Sequence, residues 1–455
     1  MGEITSFHLI LKDPTDFSKV HSECRKLGLK VLPYKRGRSV SVVGEREIIR
    51  RLVSEEPVTT HRRAAVGRSF LQAVDYALPE DTKIIHYPLQ DSVSGLVFPV
   101  RPHYWQPSAF PPQVPYYHLH VPQDIARLLG VSQAHAAGLT GNGVRVAMID
   151  TGFYKAHPYY SMPLIHSGRQ LKFTTHGVLS LPQSDPDKDE YGHGTGIASN
   201  VFAVAPECDF HHIKDDGDPV AALNIARDIE PQIITCSWGW PEDYVQRERT
   251  QNPNGNAAKY FRDLEQAVRD AVSDGVIVLF ASGNGPLPGS WPSGMEEVIS
   301  VGGALIEANG NLKASNYATS FISQVYPGRR SPDVCGLVGP APYGLLIMMP
   351  TQPNNQLDGE FSAVDGTEVG DGWLVASGTS SATPQVAGMV ALLLQASGPM
   401  SPDDVKTTLQ KMAVGVTRGV SASGHLATSQ RPNLATGYGL ATLRRPNRLE
   451  GYTLL

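Results

Sequence analysis

Two titratable residues stand at the boundary of a predicted strand or helix, where side chains can meet at the edge of a sheet. Asp150 comes directly after the run VRVAMI, where a carboxylate either caps the next turn or serves a site at the end of the strand. His193 stands between Gly192 and Gly194 in DKDEYGHGTGIAS, where a helix is predicted to begin. The positive end of a helix dipole disfavours a charged imidazole, so this position favours a neutral histidine that can act as a general base.

Two further segments supply an amide and several hydroxyls. Asn284 follows the apolar run VLFA between two glycines, as either a common Asn-Gly turn or a donor to an oxyanion. The stretch ASGTSSATPQVAGMVALLLQ (376–395) begins with hydroxyls and continues as an uncharged apolar run, and its candidates are Ser377, Ser380 and Ser381. A serine there is either a plain helix N-cap or a nucleophile at the positive end of the dipole. Together, an acid, a base, an oxyanion donor and a nucleophile are what acyl transfer requires.

The elements that must position these residues alternate between apolar strands and amphipathic helices from about residue 123 onward. GVRVAMID, PQIITCSWG, VIVLFASGN and EVISVGGA are apolar enough to be strands buried on both faces. This alternation predicts an α/β fold with a mostly parallel sheet flanked by helices on both faces. In such sheets, sites form at the carboxyl ends of strands, so the loops after VAMI, IITC and VLFA should carry the chemistry.

The region before residue 123 has a different organisation. Residues 5–55 have the element order β-α-β-β-α, which predicts a small α+β open sandwich. The proline-rich sequence that follows favours an extended segment. We therefore predict three parts: an N-terminal domain over 1–60, an extended linker over 61–122 and the α/β domain over 123–455.

Bulk composition excludes several classes of partner. The 455 residues are 41% hydrophobic and 18% charged, with a net charge of -5, so neither nucleic acid nor an anionic membrane is expected. The four cysteines are widely spaced and form no C-x-x-C pair, which argues against a disulfide framework or a zinc site. The N-terminal sequence MGEITSFHLILKDPTDF lacks a basic n-region and a long apolar run. We therefore expect a cytoplasmic protein without a signal peptide or a transmembrane segment.

An acidic run precedes His193 and has two readings. Asp185, Asp187, Asp189 and Glu190 form either a solvated loop or a surface that attracts basic substrate side chains or a calcium ion. The spacing does not follow an EF-hand, so a structural calcium cannot be assigned. No metal ligands and no cofactor are predicted.

The motifs in combination resemble those of the subtilisin-like serine proteases. VAMIDTG is similar to the aspartate motif of that family, GHGT to its histidine motif, and GTSSATPQVAG to its serine motif, in which the serine after Gly-Thr is the nucleophile. The resemblance assigns the catalytic roles to Asp150, His193 and Ser380, and ASGN assigns the oxyanion role to Asn284. It covers about residues 123–450 and implies a serine endopeptidase that acts through an acyl-enzyme.

The same resemblance implies how substrate binds. CSWG is similar to the substrate-binding strand of the family, so Ser237, Trp238 and Gly239, with Gly283, are expected to bind an extended peptide as an added strand. Trp238 stands where a smaller aliphatic residue is common, which predicts narrowed or reshaped subsites for the residues before the scissile bond. The long connection over 337–376 is either a lid or partner surface, or an ordinary surface insertion.

The resemblance also suggests a role for the N-terminal part and leaves other functions open. In element order, residues 5–55 are similar to the propeptide that chaperones and inhibits many subtilisin-like proteases, which implies an intramolecular inhibitor; the alternative is a permanent regulatory or docking domain. A non-catalytic peptide-binding protein on a protease fold is a second hypothesis, which the complete set of candidate residues disfavours. A peptide ligase or macrocyclase on the same fold is a third.

Overall fold

An antiparallel sheet of four strands forms the N-terminal part of the chain. The computed structural model describes residues 4–66, 69–99, 117–179, 184–367 and 369–443. The N-terminal elements are β1 (Ile4–Leu11), α1 (Phe17–Lys26), β2 (Lys30–Val31), β3 (Ser39–Glu45), α2 (Arg46–Leu52), β4 (Val58–Val66), β5 (Ser69–Ala77), α3 (Tyr87–Gln90) and β6 (Val93–Val97). The sheet has the order β2-β3-β1-β6, while β4 and β5 pair in a separate hairpin. A small N-terminal α+β unit, as predicted, is therefore present.

The N-terminal sheet continues past the predicted boundary at residue 60. Strand β6 pairs with β1 from within 61–122, the segment whose proline content predicted an extended linker. Because pairing between strands distant in sequence is not encoded in either strand alone, the sequence does not predict that β6 joins this sheet. Residues 100–116 of the predicted linker lie outside the described residues.

A central sheet with helices on both faces forms most of the remaining structure. The other strands are β7 (Leu119–His120), β8 (Arg145–Asp150), β9 (Lys172–Gly177), β10 (Asp209–Lys214), β11 (Ile233–Cys236), β12 (Trp240–Pro241), β13 (Ile277–Ala281), β14 (Ser290–Trp291), β15 (Ile299–Ile306), β16 (Leu312–Ala314), β17 (Phe321–Ile322), β18 (Arg330–Ser331), β19 (Val334–Leu337), β20 (Ile347–Pro350) and β21 (Trp373–Ala376). The other α-helices are α4 (Gln123–Leu128), α5 (Ser132–Ala136), α6 (Pro158–Ser161), α7 (His193–Val204), α8 (Pro219–Asp228), α9 (Glu242–Gln251), α10 (Asn256–Ser273), α11 (Gln356–Phe361), α12 (Thr379–Ser397) and α13 (Pro402–Met412).

The central sheet confirms the predicted α/β class. Its order is β16-β15-β13-β11-β8-β10-β9, with β19 pairing with β15. Within the described residues, each neighbouring pair is parallel except β15 and β16. The chain builds β9 and β10 on one side of β8, and then β11, β13 and β15 on the other. Such a reversal opens a crevice at the carboxyl end of the central strand, where Asp150 ends β8.

Alternate residues of β8 divide the interior into two cores. Val146 and Met148 join the core that contains α7 and α12, while Ala147 and Ile149 join the core that contains α8 and α10. The second core also includes side chains of the N-terminal sheet, Phe7 among them. The N-terminal unit therefore packs on the face of the central domain that α8 and α10 cover.

A buried ion pair lies within this packing surface. His8 on β1 is fully buried, and its Nε2 lies 2.7 Å from Asp218 Oδ1 at the start of α8. Its Nδ1 lies 2.7 Å from Ser41 Oγ, which accepts a hydrogen bond from the Tyr34 hydroxyl. Burial lowers the pKa of His8, but the charge and hydrogen bond of Asp218 and the charge of Asp263 outweigh burial and raise it above 6.5. Burial raises the pKa of Asp263 on α10 to about 6.

This arrangement should become less stable as the pH rises. In the folded protein, Asp263 keeps its proton up to about pH 6, and His8 keeps its proton to a pH above 6.5. Both groups bind the proton more tightly in the folded than in the unfolded protein, so they stabilise the fold at low pH. This stabilisation is lost as the pH rises through the two folded-state pKa values. We predict that the free energy of unfolding falls as the pH rises from about 4 through 6 and on above 6.5, and that His8→Gln makes the fall shallower. Urea unfolding at fixed ionic strength measures this in a Ser380→Ala background, which guards against the self-digestion that the sequence resemblance predicts. Equal pH slopes in the two proteins would contradict the prediction.

Candidate active site

Helix α12 fixes the position of Ser380. The helix begins at Thr379, and its residues are buried continuously from Thr379 to Leu392, where they pack on α7 and on β11, β13, β15 and β19. Its apolar, uncharged sequence suits burial on all sides, because each turn contacts either the sheet or another helix. Although α12 carries no charge, no helix in the described part of the chain is long and apolar enough to cross a membrane. Ser380 is the second residue of α12, so the packing of the whole helix holds it in place.

Pro384 changes the hydrogen bonding around Ser380. Proline has no N–H, so the Ser380 carbonyl lacks the bond that residue 384 would donate in a regular helix. The Ser237 hydroxyl donates to that carbonyl instead, at 2.9 Å. In return, the Ser380 hydroxyl donates to the Ser237 carbonyl at 3.3 Å. The end of β11 is thereby joined to the first turn of α12.

Asp150 and His193 form a buried pair at the end of β8 and the start of α7. His193 Nδ1 lies 2.7 Å from Asp150 Oδ1, which also accepts the Thr151 N–H at 2.8 Å. A carboxylate can only accept, so the imidazole proton lies on Nδ1. Burial lowers the pKa of His193, but the charge and hydrogen bond of Asp150 outweigh it and raise the pKa above 6.5. The carboxylate therefore orients the ring and favours its charged form, which outweighs the preference for a neutral ring expected from the helix start.

Asn284 lies against the first turn of α12. Its Oδ1 accepts the Thr379 N–H at 2.9 Å, which orients the side-chain amide next to the helix N-terminus. Gly378, just before the helix, allows this contact, because a Cβ at that position would lie 2.6 Å from Asn284 Nδ2. One cavity is lined by His193, Asn284 and Ser380 together, so three residues from distant parts of the sequence converge.

The other two serines of the motif have structural contacts. The Ser377 hydroxyl donates to Gly344 O at 2.6 Å and accepts Gly339 N–H at 2.8 Å. Ser381 Oγ lies 3.7 Å from the sulfur of Met349. Ser377 and Ser381, the other two candidates, therefore have packing or hydrogen-bonding contacts of their own.

A family comparison places this geometry among known proteins. The sequence-family model of the subtilase family matches residues 141–439 of this chain. These residues include Asp150, His193, Asn284 and Ser380. The chain belongs to the subtilase family. Serine protease AprX of Bacillus subtilis (strain 168) is 31% identical over 295 residues, which are 60% of this chain and 61% of AprX. Subtilisin BL of Lederbergia lenta is 28% identical over 309 residues, which are 65% of this chain and 92% of that protein.

A solved structure supports the fold of this subtilase. Fervidolysin from Fervidobacterium pennivorans, described as a keratinolytic enzyme related to subtilisin, matches with a TM-score of 0.56 at 17% identity. The match covers 100% of this chain and 62% of fervidolysin. The chain thus spans about three fifths of the length of both AprX and fervidolysin.

The residues predicted to bind substrate lie at the ends of two neighbouring strands of the subtilase sheet. Ser237 and Gly239 follow β11, and Gly283 follows β13. The Trp238 side chain, in contrast, is fully buried in the second core, where its Nε1 donates to Ile149 O at 2.9 Å. The expectation that Trp238 narrows the subsites with its side chain is therefore wrong, because the alternation of an extended segment turns that side chain inward. A role for its backbone stays a prediction.

The acidic run contains a positioning residue that the sequence did not single out. Asp189 is fully buried and accepts the Gly192 N–H at 2.8 Å, the Thr195 N–H at 2.7 Å and the Thr151 hydroxyl at 2.7 Å. Burial raises its pKa, while these hydrogen bonds lower it. Asp189 thus satisfies the open N–H groups at the start of α7 and fixes the turn that presents His193.

Other carboxylates of the run contact lysines of the same chain. Asp187 pairs with Lys155, and Glu190 lies 2.7 Å from Lys214 Nζ. Because lysines of the same chain already neutralise these two carboxylates, the contacts argue against the hypothesis that the run attracts basic side chains of a substrate. Within the described ranges, no group of three or more His, Cys, Asp or Glu is arranged to hold a metal ion.

We predict that Asp189→Ala destabilises the fold by about 3 kcal/mol or more, since it leaves several buried donors without a partner. Asp187→Ala is the matched control on the same loop, where loss of a half-exposed ion pair should cost about 1 kcal/mol or less. Urea unfolding of both variants in the Ser380→Ala background measures the difference. Equal losses in the two variants would show that Asp189 does not support the loop.

Proposed function

We propose that this subtilase is a serine endopeptidase with Ser380 as nucleophile, His193 as general base and Asp150 as the residue that orients His193. The observation that carries the proposal is the 2.7 Å contact between Asp150 and His193 Nδ1 beside a serine at a helix N-terminus. The carboxylate holds the proton on Nδ1 and leaves Nε2 for proton transfer. The helix dipole favours the negative charge that develops near Ser380.

Substrate binding as an added strand would also prepare the nucleophile. An extended peptide along the edge at Ser237 donates a backbone N–H to the Ser237 carbonyl. The Ser380 hydroxyl donates to that carbonyl in the free protein, at 3.3 Å. A peptide N–H that competes for this acceptor weakens the long bond from Ser380, so that its hydroxyl can turn and donate to His193.

Hydrolysis then proceeds in two acyl-transfer steps. Ser380 Oγ attacks the peptide carbonyl carbon while His193 takes the hydroxyl proton, and His193 returns that proton to the leaving amine as the C–N bond breaks. Water, deprotonated by His193, attacks the resulting ester, and Ser380 regains its proton. The oxyanion of each tetrahedral intermediate accepts hydrogen bonds from Asn284 Nδ2 and the Ser380 N–H. Loss of one such donor typically costs about 10²–10³-fold in rate.

Labelling with a fluorophosphonate probe tests the catalytic assignment. Wild type should be labelled, Ser380→Ala should not, and Ser381→Ala should label almost normally as the neighbouring control. Labelling of Ser380→Ala would overturn the assignment. Absence of labelling in wild type, with or without the N-terminal unit, would favour a non-catalytic peptide-binding protein. Mass analysis of peptide products separates hydrolysis from ligation.

The pH profile tests the role of His193. A general base must be neutral, so kcat/KM should rise with pH and reach half its maximum above pH 6.5, because Asp150 raises the pKa of His193. Asp150→Asn should lower the maximum about 10⁴-fold. Initial rates on a peptide ester across this range measure both effects. A midpoint well below pH 6.5 would contradict the assigned coupling between the two residues.

We also propose that the N-terminal region restrains the enzyme until it is cleaved or displaced. The support is the shared core between the N-terminal sheet and the face that carries α8 and α10, together with its predicted similarity to a propeptide. Wild type should show cleavage between about residues 55 and 120 on denaturing gels. Ser380→Ala should keep one full-length band. Intact bands for both proteins would count against self-processing.

A further inference from the structure

The cavity beside His193 and Ser380 has an apolar wall that no motif identifies. Five aliphatic or aromatic side chains without polar atoms contribute to this wall, and three tyrosines line the cavity beside them. The five are Ile197, Met349, Leu357, Phe361 and Leu374, and the tyrosines are Tyr191, Tyr317 and Tyr343. No Asp, Glu, Lys or Arg is among the described residues that line the cavity. A concave site with apolar walls and a few polar groups at one end is typical of a pocket for an apolar side chain.

Four of these five wall residues belong to the 337–376 segment, which is bonded directly to the loop before His193. The Leu357 N–H donates to Tyr191 O at 3.1 Å, and the Gln356 N–H donates to Glu190 O at 3.1 Å. The Asp189 N–H donates to Gln352 Oε1 at 2.8 Å. The two main-chain bonds hold the start of α11 against the loop before His193, and the Gln352 side chain adds a third link to the same loop. The segment is therefore not an ordinary surface insertion, but part of the surroundings of the site.

The position of the pocket relative to Ser380 indicates which part of a peptide reaches it. The strand ends expected to bind the residues before the scissile bond are those at Ser237–Gly239 and Gly283. Neither is among the described residues that line the cavity, whereas Ser381, one position further into α12, is. His193, which protonates the leaving amine, also lines it. Although Asn284 lines the cavity too, this lining favours the side of Ser380 from which the leaving amine departs.

We infer that the 337–376 segment builds a specificity pocket that takes a large apolar side chain from the residue directly after the scissile bond. This inference rests on the proposed peptidase function and adds a substrate preference to it. The preferred peptides carry Leu, Met or Phe at that position, because an uncharged apolar pocket gains free energy from burying them and gives nothing to offset the desolvation of a charge. Leu357 and Phe361 on α11 are the residues that define the selection.

A set of internally quenched peptides tests the preference in wild type. The peptides share one sequence before the scissile bond and differ only in the next residue, which is Leu, Phe, Gly, Asp or Lys. We expect kcat/KM for Leu and Phe to exceed that for Gly, Asp and Lys by about tenfold or more, since filling an apolar pocket discriminates by at least this factor. A flat profile within about twofold would overturn the inference, while cleavage of the set would leave the peptidase function standing.

A charge change on α11 tests the residues of the pocket. Leu357→Glu should reverse the preference, so that Lys is cleaved about tenfold faster than Leu, because a carboxylate in the wall attracts the ammonium group. Gln356→Glu is the matched control: it adds the same charge to the same helix at an exposed position and should leave the profile unchanged. A reversal cannot result from partial unfolding, which would slow all peptides alike.

A substrate with no amino acid after the scissile bond separates this inference from the proposed function. A peptide methyl ester uses Asp150, His193 and Ser380, and its methanol leaving group is too small to fill the pocket. Wild type, Leu357→Glu and Gln356→Glu should hydrolyse it at similar rates. If Leu357→Glu keeps this activity and also keeps the wild-type peptide profile, the pocket assignment is overturned. If wild type hydrolyses neither substrate class, the proposed function itself fails.

Discussion

The burial of helix α12 between the central sheet and α7 is the constraint on which the site depends. Gly388 lets the two helices approach closely, since a Cβ there would lie 2.7 Å from the Cβ of Val204. A helix packed this tightly cannot slide or rotate without opening voids in the core. Ser380 at its first turn and His193 at the first turn of α7 are therefore held relative to each other by packing far from either residue. The hydrogen bonds between Ser237 and Ser380 add a local restraint to this global one.

Much of the site could be predicted because its residues stand at sequence positions with a clear physical meaning. Asp150 ends an apolar strand, His193 lies between glycines at a helix start, and Ser380 precedes an uncharged helix. These local signals, together with the strand and helix alternation, were sufficient for the α/β class. The family resemblance was needed to choose Ser380 over its neighbours, because local sequence gives all three serines a similar setting.

The parts that were missed depend on contacts between distant segments. Asp189 lies in an acidic run for which the sequence favours a solvated loop. Only the fold shows that its side chain points inward and binds the start of α7. The sequence predicts that the Trp238 side chain lines the subsites, but the extended segment directs this side chain into the second core. Two further contacts join residues that are far apart in sequence: β6 pairs with β1, and Leu357 bonds to Tyr191. Hydrophobic periodicity, which acts over one element, does not predict such contacts. Sequence patterns predict elements well, but which side chains meet is a property of the assembled chain.

The shared core between the N-terminal sheet and the face of α8 and α10 has a consequence for the covalent state of the protein. Phe7 and Phe261, from opposite sides of that contact, belong to one continuous buried cluster. Cutting the chain between them removes a covalent link but exposes none of this apolar surface, so the free energy of burial still holds the pieces together. A nicked molecule would accordingly behave as a two-chain complex, whose dissociation depends on dilution and on how fast the freed segment is degraded.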